Sequence, residues 1–141
     1  MRRYSVALLA AAATAGLVMT GAPSASAAAQ LKSCSTSDGG ASGGMQWNWT
    51  SKKTMDVALI LADTEKDGAW VRIRLDITTG AGNRYSYGWR ELHDGNGSNK
   101  TWTTTATHAS GIVSARVQVE NVKGSSPLAT CYSGKAYNDY Y

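Results

Sequence analysis

Between Ala69 and Ile77 apolar and polar side chains alternate without a slip: Val71, Ile73, Leu75 and Ile77 fall on one side, and Trp70, Arg72, Arg74 and Asp76 on the other. Successive side chains of an extended chain point to opposite faces, so this pattern predicts a strand with one core face and one wet face. The preceding segment, Thr54–Ala62, sets Met55, Val57, Leu59 and Leu61 on one face and Ala58, Ile60 and Ala62 on the other. Being apolar on both sides, it predicts a central strand. Thr64-Glu65-Lys66-Asp67-Gly68 is expected to join the two as a hairpin loop, Gly68 supplying a positive φ.

Further strands are expected at Met45–Thr50, Arg84–Leu92, Lys100–Thr107, Ile112–Val122 and Leu128–Tyr137. Within them Tyr85, Tyr87 and Trp89 share one face by alternation, and Val113, Ala115, Val117 and Val119 oppose Arg116, Gln118 and Glu120. Clusters of Gly, Asn and Asp separate these runs, and no long segment has the helical period. The fold class that follows is all-β, an antiparallel β-sandwich or flattened barrel of about seven strands over residues 45–141. Residues 28–44, rich in Gly, Ser and Ala with little to bury, read as a flexible segment tied down at Cys34.

The first residues carry Arg2 and Arg3, then an apolar stretch from Val6 to Met19, then the small-x-small site Ala25-Ser26-Ala27. This predicts a secretory signal peptide over residues 1–27 and a secreted, extracellular product. The apolar stretch falls short of the about 20 residues a membrane span requires, so no span is expected. Arg2-Arg3 lacks the surroundings of a twin-arginine signal, and Lys32 spoils Leu31-Lys32-Ser33-Cys34 as a lipoprotein box. The Ala-rich leader has the composition of high-GC bacterial exports, in which the sequons at Asn48, Asn96 and Asn99 are chance matches.

Cleavage after Ala27 leaves material for one ordinary domain. It also removes Arg2 and Arg3, taking the formal net charge from +4 to +2. So small an excess argues against nucleic acid, which selects clustered Lys and Arg. The chain holds two cysteines. In an exported protein only one intramolecular pairing exists, Cys34 with Cys131, and no CxxC motif suggests a redox role.

Candidate chemistry is sparse. Asp63, Glu65 and Asp67 with Gly68 match the opening of a calcium loop, but position 12 would be Arg74 where a bidentate Glu is needed, so a plain turn is expected and no metal. His93 and His108 are the only histidines, no Gly-x-Ser-x-Gly elbow occurs, and both cysteines are committed. Glu91 and Glu120 could flank a glycosidic bond only in the sense that any two acids could. No catalyst and no cofactor are therefore expected.

The aromatic composition says more. The chain has 5 Trp and 7 Tyr but no Phe, so its rings keep a polar edge, as at interfaces and sugar-stacking platforms. The same rings must also serve the core where Phe is missing. The expected binding surface is Trp70, Tyr85, Tyr87 and Trp89 with Arg72 and Arg74: alternation sends Trp70 and the two arginines outward, whereas the shared face of Tyr85, Tyr87 and Trp89 fits a core-facing triad equally well. Arg116 falls on a solvent-facing strand position, with Glu120 and Asp76 as local partners. The reading is a small secreted non-enzymatic binding protein whose partner is a polysaccharide or envelope polymer. The rival readings are an inhibitor of a secreted hydrolase, presenting Gly95–Ser98 or Thr79–Asn83, and a structural surface protein assembling through strand edges and the tail Tyr137–Tyr141. Carbohydrate-binding modules, lectins and inhibitors share this general shape, so fold does not choose among them.

Overall fold

A computed structural model describes residues 30–141; the expected signal peptide lies outside the described residues. The described chain is all β, in ten strands: β1 Leu31–Ser35, β2 Ala41–Trp49, β3 Thr54–Asp63, β4 Trp70–Thr79, β5 Arg84–Ser86, β6 Arg90–Leu92, β7 Asn99–Thr107, β8 Ile112–Lys123, β9 Ser126–Tyr132 and β10 Ala136–Tyr137. They form two antiparallel sheets packed as a sandwich. Sheet I has the order β1-β2-β3-β7, while sheet II is built on β8 and β4, with β9 and β10 along one side and β6 and β5 along the other.

The core is the apolar half of each alternating pattern. Met55, Val57, Leu59 and Leu61 of β3 face Val71, Ile73, Leu75 and Ile77 of β4 and Val117 and Val119 of β8, all of them buried. Met45 and Trp49 extend this layer along β2. The sheets approach closely at Gly43, where a Cβ would stand 2.7 Å from Val119 Cγ2 and 3.1 Å from Ile73 Cδ1. Only glycine fits there without pushing the layers apart.

Five sequence expectations are corrected. Thr64–Gly68 does not close a hairpin: β3 lies in sheet I and β4 in sheet II, so this loop carries the chain across the core. Gly68 does have a positive φ, +70°. Two adjacent alternating strands can bury their apolar faces by pairing in one sheet or by facing each other across two, and the pattern is the same in both. Residues 31–44, composed like a linker, form β1 and half of β2, because main-chain hydrogen bonds between Leu31–Ser35 and Ser42–Gln46 require no large side chains. The sandwich thus begins at Leu31 and not at Met45.

Two expected strands are each divided by a one-residue slip. Ser86 opposes Asp76 but Arg90 opposes Ile73, so one residue is extra between β5 and β6. Likewise Tyr132 opposes Gln118 but Ala136 opposes Ala115, which separates β9 from β10. A further irregularity, opposite Thr78/Thr79, lets Ile112 take the buried place expected for Val113.

The lateral sides of the sandwich are closed by different means. On one side Cys34 of edge strand β1 is bonded to Cys131 of β9, joining the two sheets covalently across 97 residues of sequence with Cα atoms 6.0 Å apart. On the other, Tyr87 follows β5 and donates its hydroxyl to the Thr107 carbonyl of β7, at 3.0 Å. The tail is docked by the buried Asn138, whose amide donates to the carbonyls of Ser51 (3.1 Å) and Ile112 (2.8 Å).

Reduction of the disulfide is expected to lower Tm sharply. A closed loop of about 100 residues corresponds to about 4.7 kcal/mol in the loop-entropy treatment, an upper figure. Melts with and without reductant, and of a Cys34→Ser/Cys131→Ser variant, measure it. Alkylation of the native protein should modify neither cysteine, since no free thiol is present among the described residues.

Candidate functional site

The outer face of sheet II is polar because β4 must turn one side away from the core, and β8 is in register with it. Arg72 pairs with Glu120, Arg74 with Gln118, and Asp76 with Arg116. The result is a connected network. Arg72 donates from Nε and Nη2 to one Glu120 oxygen, both at 2.7 Å. Gln118 accepts from Arg74 at 2.9 and 2.7 Å, and donates to the other Glu120 oxygen at 2.8 Å. Asp76 accepts from Ser86 Oγ at 2.6 Å and from Arg84, with Arg74 at 3.6 Å and Arg116 at 4.0 Å.

Asp76 and Glu120 are buried, 2% and 5% exposed, beneath side chains that remain in contact with water. A buried carboxylate is costly unless its oxygens are matched by cations or hydrogen-bond donors, and here both oxygens of each are. The Arg84 guanidinium is held even more firmly protonated than usual, first by the Tyr132 side chain and then by Asp76.

Rings lie against these guanidiniums. Arg72 and Arg74 stand 4.3 and 4.4 Å from the Trp89 ring centre, and Arg72 also 5.6 Å from that of Trp70. Arg116 and Arg84 stand 4.4 and 5.3 Å from the ring of Tyr132. Trp70 stacks on His93 at 4.5 Å and donates its indole N–H to the Gly124 carbonyl at 3.2 Å. Each contact of this kind contributes about 0.5–1 kcal/mol at an exposed site and fixes the ring's orientation.

The expected binding residues therefore divide. Trp70, Arg72, Arg74 and Trp89 share the outer face of sheet II. Tyr85 and Tyr87 do not. Tyr85 opposes Ile77 and so lies on the inner side, and Tyr87 packs against the core, its ring edge-on to Tyr85 at 5.1 Å. Alternation placed all three rings on one face, but the extra residue between β5 and β6 reverses the face for everything after it, which sends Trp89 outward. Burial pushes the Tyr87 hydroxyl up, with the neighbouring Tyr85 adding to the effect. The open edge beside Tyr87, lined by Leu59, Leu75, Thr104 and Ala106, holds a groove of about 190 Å³.

Sequence reasoning missed Tyr132, Arg84 and the stacking of His93. The sign for Tyr132 was present: Cys131 must turn toward the opposite sheet to bond Cys34, so its neighbour Tyr132 must turn out. Arg84 follows from a turn, Thr79–Asn83, that brings β5 back beside Asp76.

The acids of the β3–β4 loop diverge. Asp63 is buried and its Oδ2 has no partner, while Asp67 caps the Ala69 N–H at 2.8 Å. One amide nitrogen, Asn121 Nδ2, donates to Asp67 at 2.7 Å and to Asp38 at 3.0 Å, tying the β3–β4 crossing loop and the β1–β2 turn to β8. Among the described residues, no group of three or more His, Cys, Asp or Glu is disposed to hold a metal ion. No family model, no curated protein and no solved structure matches the chain.

The Asn121 amide, with the Ala69 N–H, holds the Asp67 carboxyl below its ordinary value. For Asp38 burial acts upward, but hydrogen bonds from Thr36, the Gly40 N–H and Asn121 outweigh it and the net direction is down. Groups lowered on folding stabilise the protein above their ordinary value of 3.8 and lose that contribution as pH falls through the lowered values. Asp63 is raised by burial and has the opposite sign, stabilising in acid and losing that contribution as pH rises. Asn121→Ala is therefore expected to melt below the wild type at neutral pH, with the gap narrowing as pH drops below 3.8. Paired melts at neutral and acid pH check this, and a gap independent of pH would contradict it.

Proposed function

We propose that this protein is a non-enzymatic binding protein acting outside the cell, and that its ligand is a polysaccharide or cell-envelope polymer carried on the outer face of sheet II. The observation that supports this reading is the run of Trp70, Trp89 and Tyr132, each set against a guanidinium, over strands that hold them in register. From Trp70 to Thr78 this face runs about 27 Å, long enough for several units of an extended chain. Rings with polar edges suit sugars, whose faces are apolar and whose rims carry hydroxyls. Rings already held in place lose little entropy on binding.

The same geometry favours binding over catalysis. Asp76 and Glu120 are saturated by donors from their own face, and Glu91 is engaged by His93 at 3.1 Å. The disulfide and the leader expected from the sequence support an oxidising, extracellular setting. The two loops that an inhibitor would present are tight turns: Thr79 N–H to Asn83 C=O at 2.8 Å closes one, and Ser98 N–H to Gly95 C=O at 3.1 Å closes the other.

Retention on immobilised neutral and acidic polysaccharides and on isolated bacterial envelopes tests the reading. Trp89→Ala should cost about 1–2 kcal/mol, two cation–π contacts, and not the 3–5 kcal/mol typical of a core ring. A Trp70→Ala/Trp89→Ala variant should fold and lose retention, whereas retention equal to the wild type would remove this face from consideration.

A further inference from the structure

Beyond the rings, at the Thr78 end of β4, the outer face of sheet II is hollowed into a pocket of about 220 Å³ bordered by Arg84, Arg116 and Lys135. We infer that this pocket is a subsite for one anionic group carried by the polymer, a carboxylate or a phosphate ester. The inference rests on the reading of this face as a polymer-binding surface, and it names the class of polymer: an acidic one.

Charge is the first support. Three cations border the pocket against a single carboxylate, Asp76. That carboxylate is buried at 2% exposure and already occupied by Arg84 and the Ser86 hydroxyl, so little of its charge reaches the pocket mouth. The neighbouring acid, Glu120, is matched by Arg72 and Gln118 and adds no free charge.

Unspent donors are the second. Arg116 is 28% exposed and packed against Tyr132, yet among the described residues its guanidinium donates no hydrogen bond, and its nearest approach to Asp76 is 4.0 Å. A guanidinium carries five N–H donors in a planar fork that matches carboxylate and phosphate oxygens. Tyr132 holds that fork at the pocket instead of letting it sweep through solvent. Lys135, exposed at the rim, supplies a mobile point charge. Thr78 and Ser114, a cross-strand pair lining the pocket, offer hydroxyl groups for the remaining oxygens.

Position is the third. Arg116 and Arg84 both lie against Tyr132, so the pocket adjoins the last ring of the run. A chain lying over Trp70 and Trp89 that continues along β4 brings its next substituents to this end. Sugar faces would meet the rings while an acidic substituent enters the pocket.

The test uses arginine Nε–H resonances of the ¹⁵N-labelled secreted protein, titrated with sodium acetate and separately with sodium phosphate at constant ionic strength. Saturable shifts at Arg84 and Arg116, with Arg72 unmoved, are expected, and the anion that saturates first tells carboxylate from phosphate. Arg116→Gln should weaken the effect about tenfold, as loss of a charged hydrogen bond does. Lys135→Glu, at an exposed position where folding is not at stake, should weaken it in the same direction. Absence of a saturable shift with either anion, or equal shifts at Arg72, overturns the subsite. Gel retardation in pullulan, polygalacturonate and poly(glycerol phosphate) separates this from the platform reading. Stronger retardation in an acidic gel that Lys135→Glu abolishes supports the subsite. If Trp89→Ala is retarded like the wild type in every gel, the platform reading falls whatever the titration shows.

Discussion

The pairing of β4 with β8 in one unbroken register from Trp70 to Thr78 organises this molecule. Burying Val71, Ile73, Leu75 and Ile77 against β3 obliges the intervening residues to face outward, and the register then decides which residue of β8 each one meets. A slip of one residue would turn Arg72, Arg74 and Asp76 into the core. The hydrophobic layer and the polar face are in this sense a single feature seen from two sides.

Such a polar face has a cost, because Asp76 and Glu120 leave water on folding. The network offsets it by surrounding each carboxylate with donors or cations from more than one strand, and Gln118 links the two clusters through hydrogen bonds on both sides of its amide. The aromatic rings are held by the same guanidiniums that match the carboxylates. Moving one arginine would therefore disturb an ion pair and a ring together, which makes the face stiff as well as polar. Stiffness of this kind favours recognition of an extended ligand, since little ordering remains to be done on binding.

Edges are the weak points of any sandwich, and this one protects its two sides unequally. The side between β1 and β9 is sealed by a covalent bond, whereas the side between β5 and β7 is bridged by the Tyr87 ring and its single hydrogen bond to Thr107. The asymmetry follows from composition: edge strand β1, with Leu31 exposed, is too poor in apolar residues to hold by burial, while Tyr87 and Trp102 can cover their own edge.

The sequence by itself determined the all-β class, the alternating strands of the core, the outward course of Trp70, Arg72, Arg74 and Arg116, and the single cysteine pairing, because each depends on local alternation or on counting. It left open whether consecutive strands pair or face each other, which is why the β3–β4 loop crosses between sheets instead of closing a hairpin. It also misjudged residues 31–44, whose strand character comes from main-chain pairing that small side chains do not announce. Tertiary structure alone decided the fate of the three rings after Arg84: one residue inserted opposite β4 sent Trp89 to the arginines and left Tyr85 and Tyr87 at the open edge. It also decided that Tyr132, Arg84 and Lys135, distant in sequence from Trp70, gather at one end of the same face. A period-two pattern specifies which side of a strand a residue occupies, and only the bulges and the sheet order specify which other residues occupy that side with it.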